Sequence, residues 1–137
     1  MRRLLLYWAP LLAYMGLVLY ASLNPMPDRL PDYWQMDKLY HFGAYLVMGV
    51  LWARALNGGR AGRMGARVFV AAAATTFLFG VFVELCQEYL PYRSAEVIDA
   101  LVNGGAGVTG ALGYARYRPA ARLASTLRAN GDEGGRR

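Results

Sequence analysis

Four stretches of the chain are long and apolar enough to cross a bilayer, and short polar segments separate them. They extend over about residues 4–23, 39–56, 68–90 and 95–114. The first has twenty positions without a charge, and about twenty apolar residues span the hydrocarbon core of a membrane. The pattern predicts an all-α fold, an integral membrane four-helix bundle built from antiparallel hairpins.

The same pattern predicts one membrane domain, residues 1–117, followed by a basic tail, residues 118–137. The tail is rich in Arg, Ala and Gly, a composition that favours disorder over most of its length, with a short interfacial helix around 121–127 as an alternative. For the first stretch, the alternative is a secretory signal peptide with a cleavage site near Ala21. That stretch is longer than the apolar region of a usual signal peptide, which favours a membrane span.

The fourth stretch contains small residues at helical spacing. Asn103, Gly107 and Ala111 recur every four residues and so share one helix face. Stripes of small residues allow helices to approach closely in lipid. We therefore expect this face to pack inside the bundle.

The distribution of basic residues predicts the orientation in the membrane. Of fifteen Lys and Arg residues, three fall beside the Pro-rich first loop or the turn at Pro91, namely Arg29, Lys38 and Arg93. The other twelve lie at the N-terminus, around the second loop or in the tail. Because basic residues concentrate on the cytoplasmic side, both termini are predicted to be cytoplasmic in a multi-pass protein of the cell membrane.

The net charge of +6 could indicate a nucleic acid partner, and the chain has one cysteine. The arginines lie between apolar runs rather than among aromatic residues on one face, so no nucleic acid partner is predicted. Cys86 has no second cysteine in the chain to pair with, so there is no internal disulfide framework.

Polar residues gather at three helix ends that this topology brings to the outer side. Glu84 and Gln87 lie three apart, and Asp99 and Asn103 lie four apart, so each pair shares a helix face. Residues at these ends that could bind a ligand are Asp37, Lys38, His41, Glu84, Gln87, Arg93, Asp99 and Asn103.

These residue types suggest two kinds of chemistry. Lys38 and Arg93 could hold an anionic group, while His41 and Glu84 could exchange protons as the catalytic pair of an enzyme. The alternative is structural, with pairs such as Lys38 and Glu84 or Arg93 and Asp99 only holding the hairpin together. Glu84, Glu88 and Asp99 with His41 could bind a metal, but no HExxH or comparable spacing supports one, so neither a metal nor another cofactor is predicted.

Several short motifs resemble the VanZ-like family of small bacterial membrane proteins. They are Asp37-Lys38-x-x-His41-Phe42-x-x-Tyr45, Glu84-x-x-Gln87, Pro91-x-Arg93, Asp99 and Asn103-x-x-Gly-x-x-Gly110. The resemblance covers about Asp37 to Gly113 and adds Tyr45 to the candidate binding residues. Tyr92 stands where the family often has glycine. The family is named for a teicoplanin-resistance accessory protein, so the resemblance implies a role in the cell envelope.

Three functions remain open from the sequence. The first is an envelope protein whose outer polar pocket binds membrane lipids or lipid-linked precursors. The second is a small intramembrane enzyme acting on a lipid-linked phosphate or sugar, and the third is a structural subunit of a membrane complex. A homo-oligomer is compatible with each, and the sequence does not decide whether a reaction is catalysed.

The topology can be tested with reporter fusions. A reporter fused after Arg137 is expected to be cytoplasmic and one inserted near Asp28 to be external, because basic residues concentrate on the inner side. Enzymatic activity of paired reporters that work on only one side of the membrane measures both positions. An external C-terminus would contradict the predicted orientation.

Overall fold

The structure is a computed structural model, and its described residues fold into four α-helices. It describes residues 2–25, 34–58, 60, 64–91 and 97–134, with side chains at 5–25, 36, 38–58, 60, 64–91 and 97–117. The helices are α1 Arg2–Leu23, α2 Trp34–Asn57, α3 Ala66–Gln87 and α4 Val97–Gly134. No strand occurs in these ranges, so the predicted all-α four-helix fold is confirmed.

Two helix ends differ clearly from the predicted ends. α2 begins at Trp34, so Lys38 lies inside the helix rather than in the loop before it. α4 continues to Gly134, where a mostly disordered tail was expected after residue 117. Alanine, leucine and arginine are frequent between residues 115 and 130 and are strong helix formers. A helix that has already started can extend through them without a new nucleation step.

Consecutive helices are antiparallel, as the sequence predicts. Gln87 donates a hydrogen bond from Nε2 to the carbonyl oxygen of Ser22 at 3.0 Å, so α1 and α3 finish together. We call the end of the bundle where α1 and α3 finish the cluster end, because the polar residues described below gather there. At the opposite end, the Arg54 guanidinium lies 5.2 Å from the centre of the Tyr7 ring, so α2 ends where α1 begins. α2 and α4 both start at the cluster end and therefore run parallel.

Within the described ranges, three helices are long and apolar enough to cross a membrane. These candidate spans are Leu5–Leu23, Lys38–Asn57 and Ala66–Gln87. α4 is long enough, but its mean hydropathy is too low. Its many glycines contribute little to the hydropathy, and Asp99 and Asn103 lower it. The three spans support a membrane protein, while the fourth span and the cytoplasmic position of both termini remain predictions.

The outside of the bundle is apolar and its inside contains polar groups. Leu12, Leu17, Leu78 and Leu101 are each 60–65% exposed. Such a surface is unfavourable in water but carries no penalty against lipid chains, which are as apolar as leucine. Polar side chains that face the interior are Asn57, Thr76, Glu84, Gln87, Asp99 and Asn103. This distribution is the one that a bilayer requires of polar side chains.

The contact between α2 and α4 is the most extensive in the bundle, and it is built on glycine. A Cβ atom at Gly110 would overlap the carbonyl oxygen of Leu46, and one at Gly49 would overlap the carbonyl oxygen of Gly107. Glycine therefore allows the two backbones to touch, as in other close helix pairs of membrane proteins. The small-residue stripe predicted for α4 is buried.

Gly110→Ala is expected to destabilise the bundle by about 1–3 kcal/mol or more, because the added Cβ meets backbone atoms that cannot rotate away. Gly113→Ala, nearly one turn further along α4, is the matched control, since a Cβ there has no atom within 4 Å. The melting temperatures of both variants in one detergent measure the difference. Equal melting temperatures would contradict the close α2–α4 contact.

Candidate functional site

The starts of α2 and α4 and the last turns of α3 meet at the cluster end. Lys38 and His41 lie on α2, Glu84 lies on α3, and Asp99 and Asn103 lie on α4. We call these five residues the polar cluster. Residues three or four apart share a helix face, and the close contact of α2 with α4 sets the two faces against each other.

Lys38 and Asp99 form an ion pair within the polar cluster. The Nζ atom of Lys38 donates to Oδ1 of Asp99, and their side chains are 13% and 6% exposed. Removing two charges from water is costly, and only a close contact with good geometry offsets that cost. The sequence had suggested Lys38 beside Glu84, whereas the structure places the ammonium on the carboxylate of α4.

His41 lies next to both an acid and an amide. Its Nδ1 atom is 3.2 Å from Oδ1 of Asn103 and 3.9 Å from Oε1 of Glu84. With the proton on Nδ1, the ring donates to the amide oxygen of Asn103 and its other nitrogen, Nε2, has a lone pair. The ring thus contacts the amide of Asn103 directly and lies beside the carboxylate of Glu84 at more than hydrogen-bond distance.

Tyr45 extends the site towards the core of the bundle. Its ring is parallel to that of His41, with the ring centres 6.3 Å apart, and the residue is 1% exposed. Among the described residues, neither the hydroxyl of Tyr45 nor Nδ2 of Asn103 has a hydrogen-bond partner. Buried polar groups in native proteins are nearly always hydrogen-bonded, so these two groups are candidates for contact with a ligand.

Gly80 makes room for these two side chains. A Cβ atom at Gly80 would lie 3.0 Å from Cβ of Asn103 and 3.2 Å from a ring carbon of Tyr45. Both distances are shorter than the optimal separation of carbon atoms, about 3.5–4.0 Å. The sequence analysis did not single out Gly80, although a glycine inside an apolar membrane helix is a signal of close packing.

Gln87 connects two helices rather than joining the polar cluster. Its side chain donates to the carbonyl oxygen of Ser22, in the last turn of α1. The last four carbonyls of a helix lack an intrahelical donor, and Gln87 satisfies one of them. This contact gives Gln87 a structural role in addition to its predicted role in binding. Ser22 was not predicted, because its contribution is a backbone atom.

Two predicted site residues have no described side chain. Arg93 lies outside the described residues. Asp37 belongs to the first turn of α2, but its side chain is not among those described. Their roles in binding therefore stay predictions.

Three members of the polar cluster could together hold a metal ion. One ligand atom each from His41, Glu84 and Asp99 lies within 4.8 Å of the other two. Each residue comes from a different helix, so regular spacing along the chain does not reveal the set. These three residues were among the possible metal ligands in the sequence, where no motif spacing supported a metal, and motif spacing does not report on ligands from separate helices.

A small helical bundle with an apolar exterior and charged residues gathered at one end defines a membrane protein with a polar site inside the bundle. A family model described as VanZ/LLP1 matches residues 7–118, most of the chain. The chain belongs to the VanZ-like family, as its motifs predicted. No curated protein and no solved structure shows a significant match to it.

Proposed function

We propose that the polar cluster binds the phosphate-bearing headgroup of lipid-linked envelope material at the outer leaflet of the cell membrane. Through this binding the protein modulates susceptibility to glycopeptides such as teicoplanin. The burial of ionisable groups in an apolar bundle carries the proposal, since Glu84 and Asp99 are only 6% and 4% exposed. A charged side chain at the centre of a membrane helix costs about 2.5–3.5 kcal/mol on insertion scales, and such residues usually serve function.

The accessibility of the cluster favours an anionic ligand. The side chains of Lys38 and His41 are 13% and 11% exposed, against 6% and 8% for Asp99 and Glu84. The ammonium and the imidazole are thus slightly more exposed than the two carboxylates. Lysine binds phosphate as a point charge, and a protonated histidine donates through both ring nitrogens.

The depth of the cluster favours a lipid over a soluble ligand. Glu84 lies three residues before the end of α3, or about 5 Å along the helix axis. A lipid headgroup reaches such a position by lateral diffusion, whereas a soluble molecule has to leave water. The distribution of basic residues supports the outer leaflet as the side of the site.

The link to glycopeptides depends on the VanZ-like family. Its founding example is an accessory protein of teicoplanin resistance, and membership is shown by the family model. Binding of lipid-linked precursors would change the surface that glycopeptides meet. This part of the proposal is therefore tested in cells rather than with the purified protein.

A second candidate function is an enzyme acting on a lipid-linked phosphate or sugar. The position of Nδ1 of His41, 3.9 Å from Oε1 of Glu84, favours it, because a small side-chain shift would bring the two atoms to the roughly 2.6–3.2 Å that direct proton transfer needs. Lys38 would then hold the anionic group while His41 and Glu84 exchange protons with the reacting group. A third candidate, a structural subunit, is favoured only by the Lys38–Asp99 ion pair.

Lipid retention by the purified protein tests binding. Native mass spectrometry of wild-type protein in a mild detergent is expected to detect a bound phosphate-bearing lipid. Lys38→Gln is expected to reduce its affinity about tenfold if the ammonium contributes about 1.4 kcal/mol. Arg116→Gln is the matched control, because Arg116 is exposed and lies far along α4 from the cluster. An equal loss of lipid affinity in Lys38→Gln and Arg116→Gln, or no bound lipid in wild type, would count against the proposal.

Complementation of a deletion strain separates the binding protein from the enzyme. We expect deletion to change the lipid-linked precursors or teicoplanin susceptibility. Glu88→Gln, at the exposed position just after α3, should complement like wild type. If the protein is a binding protein, His41→Ala and Glu84→Gln should still complement in part. Complete loss of complementation in both variants, with lipid retention by the purified variants intact, would favour the enzyme. An unchanged deletion strain would argue against an envelope role altogether.

A further inference from the structure

Two acids lie close together inside the polar cluster. Ligand atoms of His41, Glu84 and Asp99 lie within 4.8 Å of one another, and Glu84 and Asp99 are 6% and 4% exposed. Little water is present to screen the repulsion between two carboxylates in such a place. A cation bound between the two carboxylates would relieve this repulsion.

His41, Glu84 and Asp99 come from three different helices and meet inside the cluster. Lys38 contacts Asp99, and His41 has Nδ1 3.9 Å from Glu84. We propose that the cluster binds a divalent transition-metal cation, Zn²⁺ or Mn²⁺, through His41, Glu84 and Asp99.

The ligand set selects the class of metal. An imidazole nitrogen with carboxylate oxygens suits Zn²⁺ and Mn²⁺, whereas Ca²⁺ and Mg²⁺ prefer oxygen ligands alone. Two ligands on one Zn²⁺ lie at most about 4.2 Å apart, twice the bond length of roughly 2.1 Å. The separation of up to 4.8 Å therefore closes with side-chain shifts of less than about 1 Å.

Contacts around the three ligands already orient two of them. Nδ1 of His41 lies 3.2 Å from Oδ1 of Asn103 and 3.9 Å from Oε1 of Glu84, so the amide of Asn103 holds the ring beside the carboxylate of Glu84. Polar partners of this kind usually orient metal-binding histidines. Lys38 contacts Oδ1 of Asp99, which fixes the position of that carboxylate.

Three protein ligands leave at least one coordination position for another group. In catalytic zinc sites that position takes water or substrate, and here it would suit a water molecule or a phosphate oxygen. The metal site itself does not depend on the proposed lipid ligand, because it can be measured without lipid.

The test uses full-length protein purified in detergent through a tag without histidine and stripped with a chelator. Zn²⁺ and Mn²⁺ are titrated separately, with bound metal measured by mass spectrometry for Zn²⁺ and by the electron paramagnetic resonance of unbound ion for Mn²⁺. We expect one ion per chain in wild type. Glu84→Gln and Asp99→Asn should each weaken binding by at least the 10- to 100-fold typical of losing an outer-shell partner.

Glu88→Gln is the matched control, because it removes the same charge from an exposed position four residues after Glu84, just past the end of α3. Its affinity for the metal ion should equal that of wild type. Failure of wild type to bind either ion, or equal binding in Glu84→Gln, Asp99→Asn and wild type, would overturn the proposal.

A second measurement avoids reliance on the folding of variants. His41 is the single histidine of the chain, so the ultraviolet absorbance of the carbethoxyhistidine formed by diethyl pyrocarbonate reports on this side chain alone. Zn²⁺ should slow the modification in wild-type protein, and an unchanged rate at saturating Zn²⁺ would overturn the proposal.

Lys38→Gln separates this inference from the proposed function. Without the competing ammonium, metal binding should be retained or tightened, while lipid retention should fall. Loss of lipid retention with metal binding intact would therefore leave the metal site standing. Loss of metal binding in this variant would overturn the metal site, whether or not lipid retention falls.

Discussion

The close approach of α2 and α4 is the contact on which the rest of the structure depends. The two helices run parallel, and glycine at positions 49 and 110 allows their backbones to touch. This approach brings Lys38 against Asp99 and His41 against Asn103. A wider separation would leave the same side chains on the same helix faces but out of hydrogen-bond reach of one another.

Lipid on the outside and charge on the inside impose opposite demands on the same helices. The exterior needs apolar residues all round, so the usual apolar stripe that marks a buried helix face is absent. Packing is then decided by small residues and by polar contacts between helices. Gln87 on the carbonyl of Ser22 and the Lys38–Asp99 pair are such contacts, and both lie at the cluster end. The end that could bind a ligand is therefore also the end where polar contacts join the helices.

Much of the fold follows from the sequence, because apolar length and charge placement act locally along the chain. The four helices and the gathering of Glu84, Asp99 and Asn103 near one end follow from these two features. The parallel contact of α2 with α4, and the ligand set shared among three helices, depend on how helix surfaces fit together. The continuation of α4 to Gly134 was missed because composition favoured disorder, while the local helix propensity of its alanines and arginines prevailed.

The site also depends on a residue that has no side chain. Gly80 lies against both Asn103 and Tyr45, so a methyl group added there would displace two residues of the site at once. Every glycine codon becomes an alanine codon by a single base change. A chain could therefore lose its function while keeping every charged and hydrogen-bonding residue, and a comparison limited to those residues would wrongly identify it as active.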